Sequence, residues 1–341
     1  MKAVLYSGAG DYAVTEVPTP SPAAGEVLVK VTQVGVCGTD QHIHHGEFGA
    51  KFPLIPGHEV VGTVAEIGAG VTRVTVGQQV AVNPNIPCRS CSYCLSGRFI
   101  LCENALALGV NQPGFFAEYA CADENLVFSA EGLDPDTAVF TEPAACAMHG
   151  LETAQVRPGS TALVLGAGPT GLLLAQLLAT GGASSVTVAA PTAFKLDTAR
   201  ALGADNTVQI DRDDAAANIE KLRAASPDGD GYDLVVEATG SPAVGEICVP
   251  LTRNGGTVMI YGVTGEADRI AISPYDVFHR EITIKGSFAE MTSFGAALAA
   301  MRSGRMKTDG IITHRFTLDE YPQALAAVTG DKSAHKIVIT V

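Results

Sequence analysis

Along the first part of the chain, apolar residues come in short β-branched runs: KAVLY, EVLVKVTQVGV, VVGTVAEIG and QQVAV, each closed by Gly, Pro or Asn. Successive side chains of a strand point to opposite faces, so runs of this kind predict strands of an irregular, mostly antiparallel β domain. After Arg157 and Pro158 the pattern changes. TALVLG, SSVTVAA, NTVQI, YDLVVEA and GTVMIYG are separated by helical stretches, one opening near Pro169 and one over FKLDTARALGA. Val, Ile and Leu runs between helices predict a parallel sheet covered on both faces, which makes the fold class α/β. The tail, from ALAAMRSG to KIVITV, is mixed again and is expected to return to the first domain. The expected division is residues 1–152, residues 153–286 and a C-terminal part, residues 287–341.

A chain of 341 residues is too long for one core and suits two domains. With 47% hydrophobic and 17% charged residues and no low-complexity tract, it is globular. The net charge of −14 argues against nucleic acid or an anionic membrane as partner, since both attract Lys and Arg clusters. No charged residue occurs between Pro158 and Phe194, yet repeated Gly and Pro169 break that run. It reads as two buried strands around one buried helix rather than a membrane span. The N-terminal stretch MKAVLYSGAGDYAV lacks a basic region, an apolar core and a cleavage site, which points to the cytoplasm.

Chemistry enters first through Gly166, Gly168 and Gly171, a G-x-G-x-x-G triplet directly after a strand and opening a helix at Pro169 and Thr170. The first Gly permits a tight turn, the second lets a pyrophosphate approach the backbone, and the third allows helix to pack on strand. The phosphate then sits on the helix N-terminus. An NAD-binding unit carries Asp or Glu at the end of the second strand, to bond the ribose diol. Ala190 stands there instead. A 2′-phosphate is then no longer repelled, and Lys195 or Thr192 is placed to receive it, so the balance tips slightly to NADP over NAD. Lys195 is equally readable as a solvated helix residue.

Four of the eight cysteines, Cys88, Cys91, Cys94 and Cys102, fall in PCRSCSYCLSGRFILC. Such a cluster in a large chain favours metal over disulfides. Four thiolates at loop spacings close a tetrahedron around zinc, which makes a structural site in a lobe at residues 86–104, with Arg89 and Arg98 offsetting the excess negative charge. An iron–sulfur cluster is the weaker alternative. A second set is catalytic in character, Cys37, Thr39, Asp40 and His42 in GVCGTDQHIHHG and His58 and Glu59 in PGHEVVG, and TEPAACAMHG adds Glu142, Cys146 and His149 as side chains able to bind a metal. Cys and His ligands with one vacant position make zinc a Lewis acid. His44 and His45 read as surface residues.

GVCGTD, PGHEVVGTV, the four-cysteine lobe, TEPAACAMHG and LGAGPTG stand in the order and spacing of the zinc-dependent medium-chain dehydrogenase/reductase family, which the chain resembles over nearly its whole length. It is most similar to the sorbitol and polyol dehydrogenase branch, because Glu142 stands where liver-type alcohol dehydrogenases carry a cysteine. The resemblance implies a GroES-like catalytic domain and a Rossmann dinucleotide-binding domain, with two zinc ions per chain. It implies Cys37, His58 and Glu142 as catalytic zinc ligands, Glu142 directly or through water, and Glu59 in support or as a transient ligand. Cys146 lies one helical turn further from the metal and reads as a buried small hydrophobe, and His149 as a satisfied helix histidine.

Thr39 is implied to hydrogen-bond the substrate oxygen, His42 to pass the proton outward, and Asp40 to orient His58. Ala238, the Gly262, Val263 and Thr264 loop, and Ser287, Phe288 and Ala289 match positions that line the dinucleotide. Ile43, Phe115 and Glu290 match substrate-side positions, where they depart from the residues of animal sorbitol dehydrogenases. Phe115 is expected to crowd the cleft, and Glu290 either to accept bonds from a sugar alcohol or to face solvent. The implied reaction interconverts a secondary alcohol, first a polyol or sugar alcohol, with its ketone. 2,3-Butanediol or L-threonine is the alternative substrate, a non-catalytic dinucleotide-binding protein the remaining reading, and a homodimer or homotetramer the expected assembly.

Overall fold

The strand Glu26–Val36 is the hub of the first half of the fold. It pairs antiparallel with Glu59–Ile67, with Tyr119–Asp123 and with the last strand, Lys336–Thr340. The main path of this seven-stranded sheet runs Ile312–Thr317, Lys336–Thr340, Glu26–Val36, Glu59–Ile67, Gln79–Val82, Val127–Ser129, with Tyr119–Asp123 paired to the hub off that path. Its first pair is parallel and the others antiparallel. Residues 33–36 are all buried. Irregularities at Leu28/Val29 and Val31/Gln33 shift the faces of the hub strand, and its C-terminal end is covered on both sides. The core beneath it gathers Val29, Ile43, Leu54, Phe116, Tyr321 and Ile337.

The protein is described here by a computed structural model that covers residues 1–341 and forms two units. One holds Met1–Ala145, Glu290–Ser303 and Gly310–Val341, and the other Cys146–Ala289 and Gly304–Asp309. The division falls inside the helix Thr141–Ala154, and residues 304–309 group with the second unit.

The second unit is built on a six-stranded, wholly parallel sheet. Its order is Asn206–Gln209, Ser185–Ala190, Thr161–Leu165, Tyr232–Glu237, Thr252–Ile260, Thr283–Gly286. The strand first in sequence lies in the middle and later strands build outward on either side of it, the doubly wound arrangement whose switch point opens a crevice at the strand C-termini. The uncharged run forms the fully buried strand Thr161–Leu165 and the helix Pro169–Thr180, buried from Gly171 to Leu178. No helix is long and apolar enough to cross a membrane.

Candidate functional site

After the strand Thr161–Leu165 the chain turns at Gly166, whose φ of +121° suits glycine alone. A Cβ on Gly171 would lie 2.1 Å from the Gly166 carbonyl oxygen, so the helix can rest on the turn only with glycine there. A Cβ on Gly168 would meet nothing within 4 Å. Open space therefore lies over the first N–H groups of the helix, beside Pro169 and Thr170, where a pyrophosphate fits. Beside this turn, Glu237 ends its strand fully buried and accepts N–H bonds from Thr239 and Gly240 at 2.7 and 3.1 Å. Its backbone carbonyl takes the N–H of Gly262, and the Ala238 N–H bonds the Leu165 carbonyl. Glu237, which the sequence did not single out, thus ties Ala238 and the loop at Gly262, Val263 and Thr264 to the glycine turn. Val263 and Phe288 are exposed, while the hydroxyl of Ser287, which precedes Phe288 and Ala289, is buried without a protein partner.

Ala190 ends the second strand buried and carries no carboxylate to the crevice. Thr192 precedes the helix Ala193–Ala201 without capping it through its side chain, and Lys195 stands in the first turn. Burial and the neighbouring Arg212 cation both hold the Lys195 ammonium below its ordinary value. Arg212 was not legible in the sequence because DRDD reads as a solvated charge run.

The four-cysteine lobe brings its ligand atoms within 4.8 Å of one another, and none of the cysteines is in a disulfide. The Cys88–Cys94 and Cys91–Cys102 sulfur separations are both 4.0 Å. A zinc tetrahedron with Zn–S near 2.3 Å has edges of about 3.8 Å, so the cradle fits that ion. Arg89 adopts φ +59°, and the Cys91 N–H reaches Cys88 Sγ at 3.3 Å. Hydrogen bonds from the Ser90 hydroxyl and backbone and from Cys91 pull the Cys88 thiol down to about 5, whereas burial pushes Cys94 up to about 12. Arg98 is turned to the Tyr93 ring and the Ser96 hydroxyl rather than to the sulfurs.

In the first unit Cys37 caps the short helix Gly38–His44. Its Sγ accepts the Thr39 N–H at 3.3 Å, and its own N–H bonds the Asp40 carboxylate at 2.9 Å. His58 follows Gly57, where a Cβ would lie 2.8 Å from the Phe116 backbone nitrogen. The N–H groups of Phe115 and Phe116 bond the carbonyls of Gly57 and Pro56 at 3.0 and 2.9 Å. This seating puts His58 Nε2 3.1 Å from Cys37 Sγ. Ligands of a tetrahedral zinc need roughly 3.5 Å between sulfur and nitrogen, so the pair has to open by a few tenths of an ångström. Burial disfavours an imidazolium here, but the Cys37 and Asp40 charges prevail and hold His58 well above its ordinary value. Asp40 Oδ1 lies 3.8 Å from His58 Nδ1, too far for a hydrogen bond, and both atoms are buried without a partner. A half-buried thiol beside an imidazole and carboxylates shut away from water is a donor set that a divalent cation relieves.

The carboxylate that completes this group is Glu59, whose ligand atom shares the 4.8 Å cluster with Cys37 and His58. Glu142, in the first turn of the helix Thr141–Ala154, lies outside that cluster, though its charge acts on His58 and on Lys336. Cys146 and His149 are half-buried on the same helix and also outside it. Glu59 is ion-paired with Lys336 from the last strand, both side chains being 3% exposed. Lys336 was not legible in the sequence. Thr39 is half-buried, and His42 pairs with Glu47. His45 is exposed, but His44 is half-buried, with Nδ1 3.1 Å from the Tyr6 hydroxyl, which corrects its placement on the surface.

The substrate-side expectations need correction. Ile43 and Phe115 are both 0% exposed and packed in the apolar core, so neither presents a surface to a substrate. Phe115 keeps the backbone bond to Gly57 and turns its ring inward. Glu290 does not face solvent. It is 0% exposed, accepts the Ser293 N–H at 3.2 Å, and lies beside Asn85, whose Nδ2 donates to the Glu290 backbone carbonyl at 2.9 Å. Burial and the Glu142 charge push its carboxyl up to about 7.

Comparison with known proteins shows the family. Residues 23–132 match the alcohol dehydrogenase GroES-like domain and residues 169–303 the zinc-binding dehydrogenase family. D-arabinitol dehydrogenase 1 of Uromyces fabae is 44% identical over 326 residues, covering 95% of this chain and 93% of its own. D-altritol 5-dehydrogenase of Agrobacterium fabrum is 31% identical, covering 99% of this chain and 98% of its own. Among solved structures, a zinc-binding dehydrogenase of Sinorhizobium meliloti bound to NADP superposes with a TM-score of 0.94 at 34% identity, covering 100% of this chain and 99% of that one. With a parallel-sheet glycine turn in one unit and a Cys37, His58 and Glu59 cluster in the other, the chain belongs to the zinc-dependent medium-chain dehydrogenase/reductase family of alcohol dehydrogenases, in its sorbitol and polyol dehydrogenase-like branch.

Proposed function

We propose that the enzyme oxidises a secondary hydroxyl of an acyclic polyol, a pentitol such as D-arabinitol first, to the ketose, with NADP preferred over NAD. The observation that carries the reading is the pair of the half-buried Cys37 thiol and the buried His58 imidazole, 3.1 Å apart, with a carboxylate in the same cluster. The 44% identity to a D-arabinitol dehydrogenase supports the substrate class. Bound at this cluster, zinc supplies a Lewis acid that acidifies a hydroxyl, and the nicotinamide supplies the hydride acceptor.

The chain's own residues do the rest. Cys37 and His58 hold the metal, with Glu59 in the same cluster and Glu142 direct or through water. Asp40 sits behind His58 and orients it once the two close to hydrogen-bond distance. Lys336 holds Glu59 and balances part of the local negative charge. Thr39 hydrogen-bonds the substrate oxygen, and His42 takes up the proton that leaves it. At the cofactor, Gly168 leaves room for the pyrophosphate, and Lys195 with Arg212 binds the 2′-phosphate that Ala190 does not repel.

Turnover of pentitols, hexitols, 2,3-butanediol and L-threonine by zinc-replete protein with each cofactor tests this. Fastest oxidation of a pentitol with NADP supports the proposal. Preferred turnover of threonine or butanediol overturns the substrate class, and no turnover with any of them overturns the catalytic reading.

A homodimer or homotetramer accords with the sheet edge Thr283–Gly286, which carries exposed Ile284, and with Tyr275 and Phe278, which are 66% and 81% exposed. Light scattering of the purified protein decides the assembly. A cytoplasmic site is consistent with cysteines that form no disulfide.

A further inference from the structure

His42 stands in the last turn of the helix Gly38–His44, and the chain folds straight back over it. The Glu47 N–H bonds the His42 carbonyl at 2.9 Å, the Glu47 carboxylate pairs with His42 Nδ1, and the Phe48 ring centroid lies 4.5 Å from the imidazole. One imidazole is thus held at the backbone, at one ring nitrogen and on one face. The turn that does this carries φ of +79° at Gly46, +57° at Phe48 and +65° at Gly49. For a bulky residue such as Phe48 the left-handed region costs on the order of 1 kcal/mol and persists only where surrounding contacts hold it. The ion pair does not account for the strain through stability. Its side chains are 24% and 45% exposed, and such pairs contribute little to folding.

The chemistry of the pair does account for it. A carboxylate only accepts, so it takes the Nδ1–H of a neutral imidazole and leaves the lone pair on Nε2. We propose that Glu47, with Phe48 packed on the ring, is a positioning residue that fixes the Nδ1–H tautomer of His42, so that Nε2 is the atom that receives the proton released from the substrate hydroxyl. The proton adds to Nε2, the imidazolium stays paired with the Glu47 carboxylate, and the same proton then passes from Nε2 to water. Nδ1–H is kept throughout, and the hydride goes separately to the nicotinamide. This rests on the role given to His42 under the proposed function.

The test uses full-length, zinc-loaded protein and compares wild type, Glu47→Gln and His42→Ala. Nitrogen-15 NMR of the His42 ring reads the tautomer, and polyol oxidation is followed with and without added imidazole as an external base. In wild type the Nδ1–H form should dominate. In Glu47→Gln the tautomers should mix and turnover should fall about tenfold, with most of the loss restored by imidazole, while melting temperature and zinc content stay near wild type. A merely structural turn would lower the melting temperature and would not respond to imidazole. If His42→Ala keeps wild-type turnover, the proton role of His42 fails and this inference with it. If His42→Ala is impaired while Glu47→Gln keeps both tautomer and rate, Glu47 is not the positioning residue and only this inference falls.

Discussion

Lys336, on the last strand, forms an ion pair with Glu59, at the start of the strand Glu59–Ile67, and both are sealed from solvent. Gly35 on the strand between them makes the pair feasible, because a Cβ there would lie 1.9 Å from Glu59 Oε2 and 2.8 Å from Lys336 Cε. The C-terminal strand therefore does more than close a sheet. It delivers a cation to the carboxylate beside Cys37 and His58.

Removing one partner of a buried pair leaves the other charge unsatisfied, which costs about 3–5 kcal/mol. Lys336→Met should lower the stability of metal-free protein by that order, measured by denaturant unfolding. The loss should be smaller in zinc-loaded protein, where the cluster holds a cation. Equal losses with and without zinc would mean that Lys336 acts on the sheet alone.

The two cysteine sites should separate cleanly. Cys37→Ser should remove one zinc equivalent per chain and lower turnover by about a thousandfold or more while leaving the fold intact, since a bound Lewis acid is worth several kcal/mol to the reaction. Cys91→Ser should remove the other equivalent and lower the melting temperature through the lobe. Elemental analysis beside thermal melting reads both. Loss of both equivalents from Cys37→Ser would sink the assignment of two independent sites.

Lys195→Ala and Arg212→Ala should each weaken NADP binding by about tenfold, on the order of 1.4 kcal/mol, and leave NAD nearly unchanged. Ala190→Asp should act in the opposite sense on the two cofactors, repelling the 2′-phosphate and bonding the ribose diol. Calorimetric titration with each dinucleotide decides. Equal losses for NAD and NADP in the lysine and arginine variants would mean that these cations do not read the phosphate.

The parallel sheet and the glycine turn were legible because their physics is local: an apolar run, three glycines at fixed spacing and a helix start. The four-cysteine lobe was legible for the same reason. Lys336, Arg212 and Glu47 were not, because each acts through a partner or neighbour that the fold supplies. Lys336 reads as the polar start of an apolar strand, Arg212 as one charge in an acidic run, and Glu47 as a loop residue. Phe115 shows the converse error. Sequence placed it near a substrate, but only the backbone decides which way a ring points, and the bond from its N–H to Gly57 sends it into the core.

Glu290 gives the protein a pH dependence of defined sign. Its carboxyl is raised by burial first and by the Glu142 charge second, from 4.5 to about 7. The folded chain therefore holds a proton there that the unfolded chain has released, so this group's contribution to stability is fullest below about 4.5 and declines as pH rises towards 7. Above that the loss is constant, on the order of 3 kcal/mol. Glu290→Gln keeps the shape and cannot ionise, so the variant should match wild type near pH 5 and be the more stable near pH 8. Since Glu142 contributes to the shift, the gap should narrow when Glu142→Gln is added. Denaturant unfolding of wild type and the single and double variants across this range measures it, and parallel curves for wild type and Glu290→Gln would show that the buried carboxyl does not titrate there.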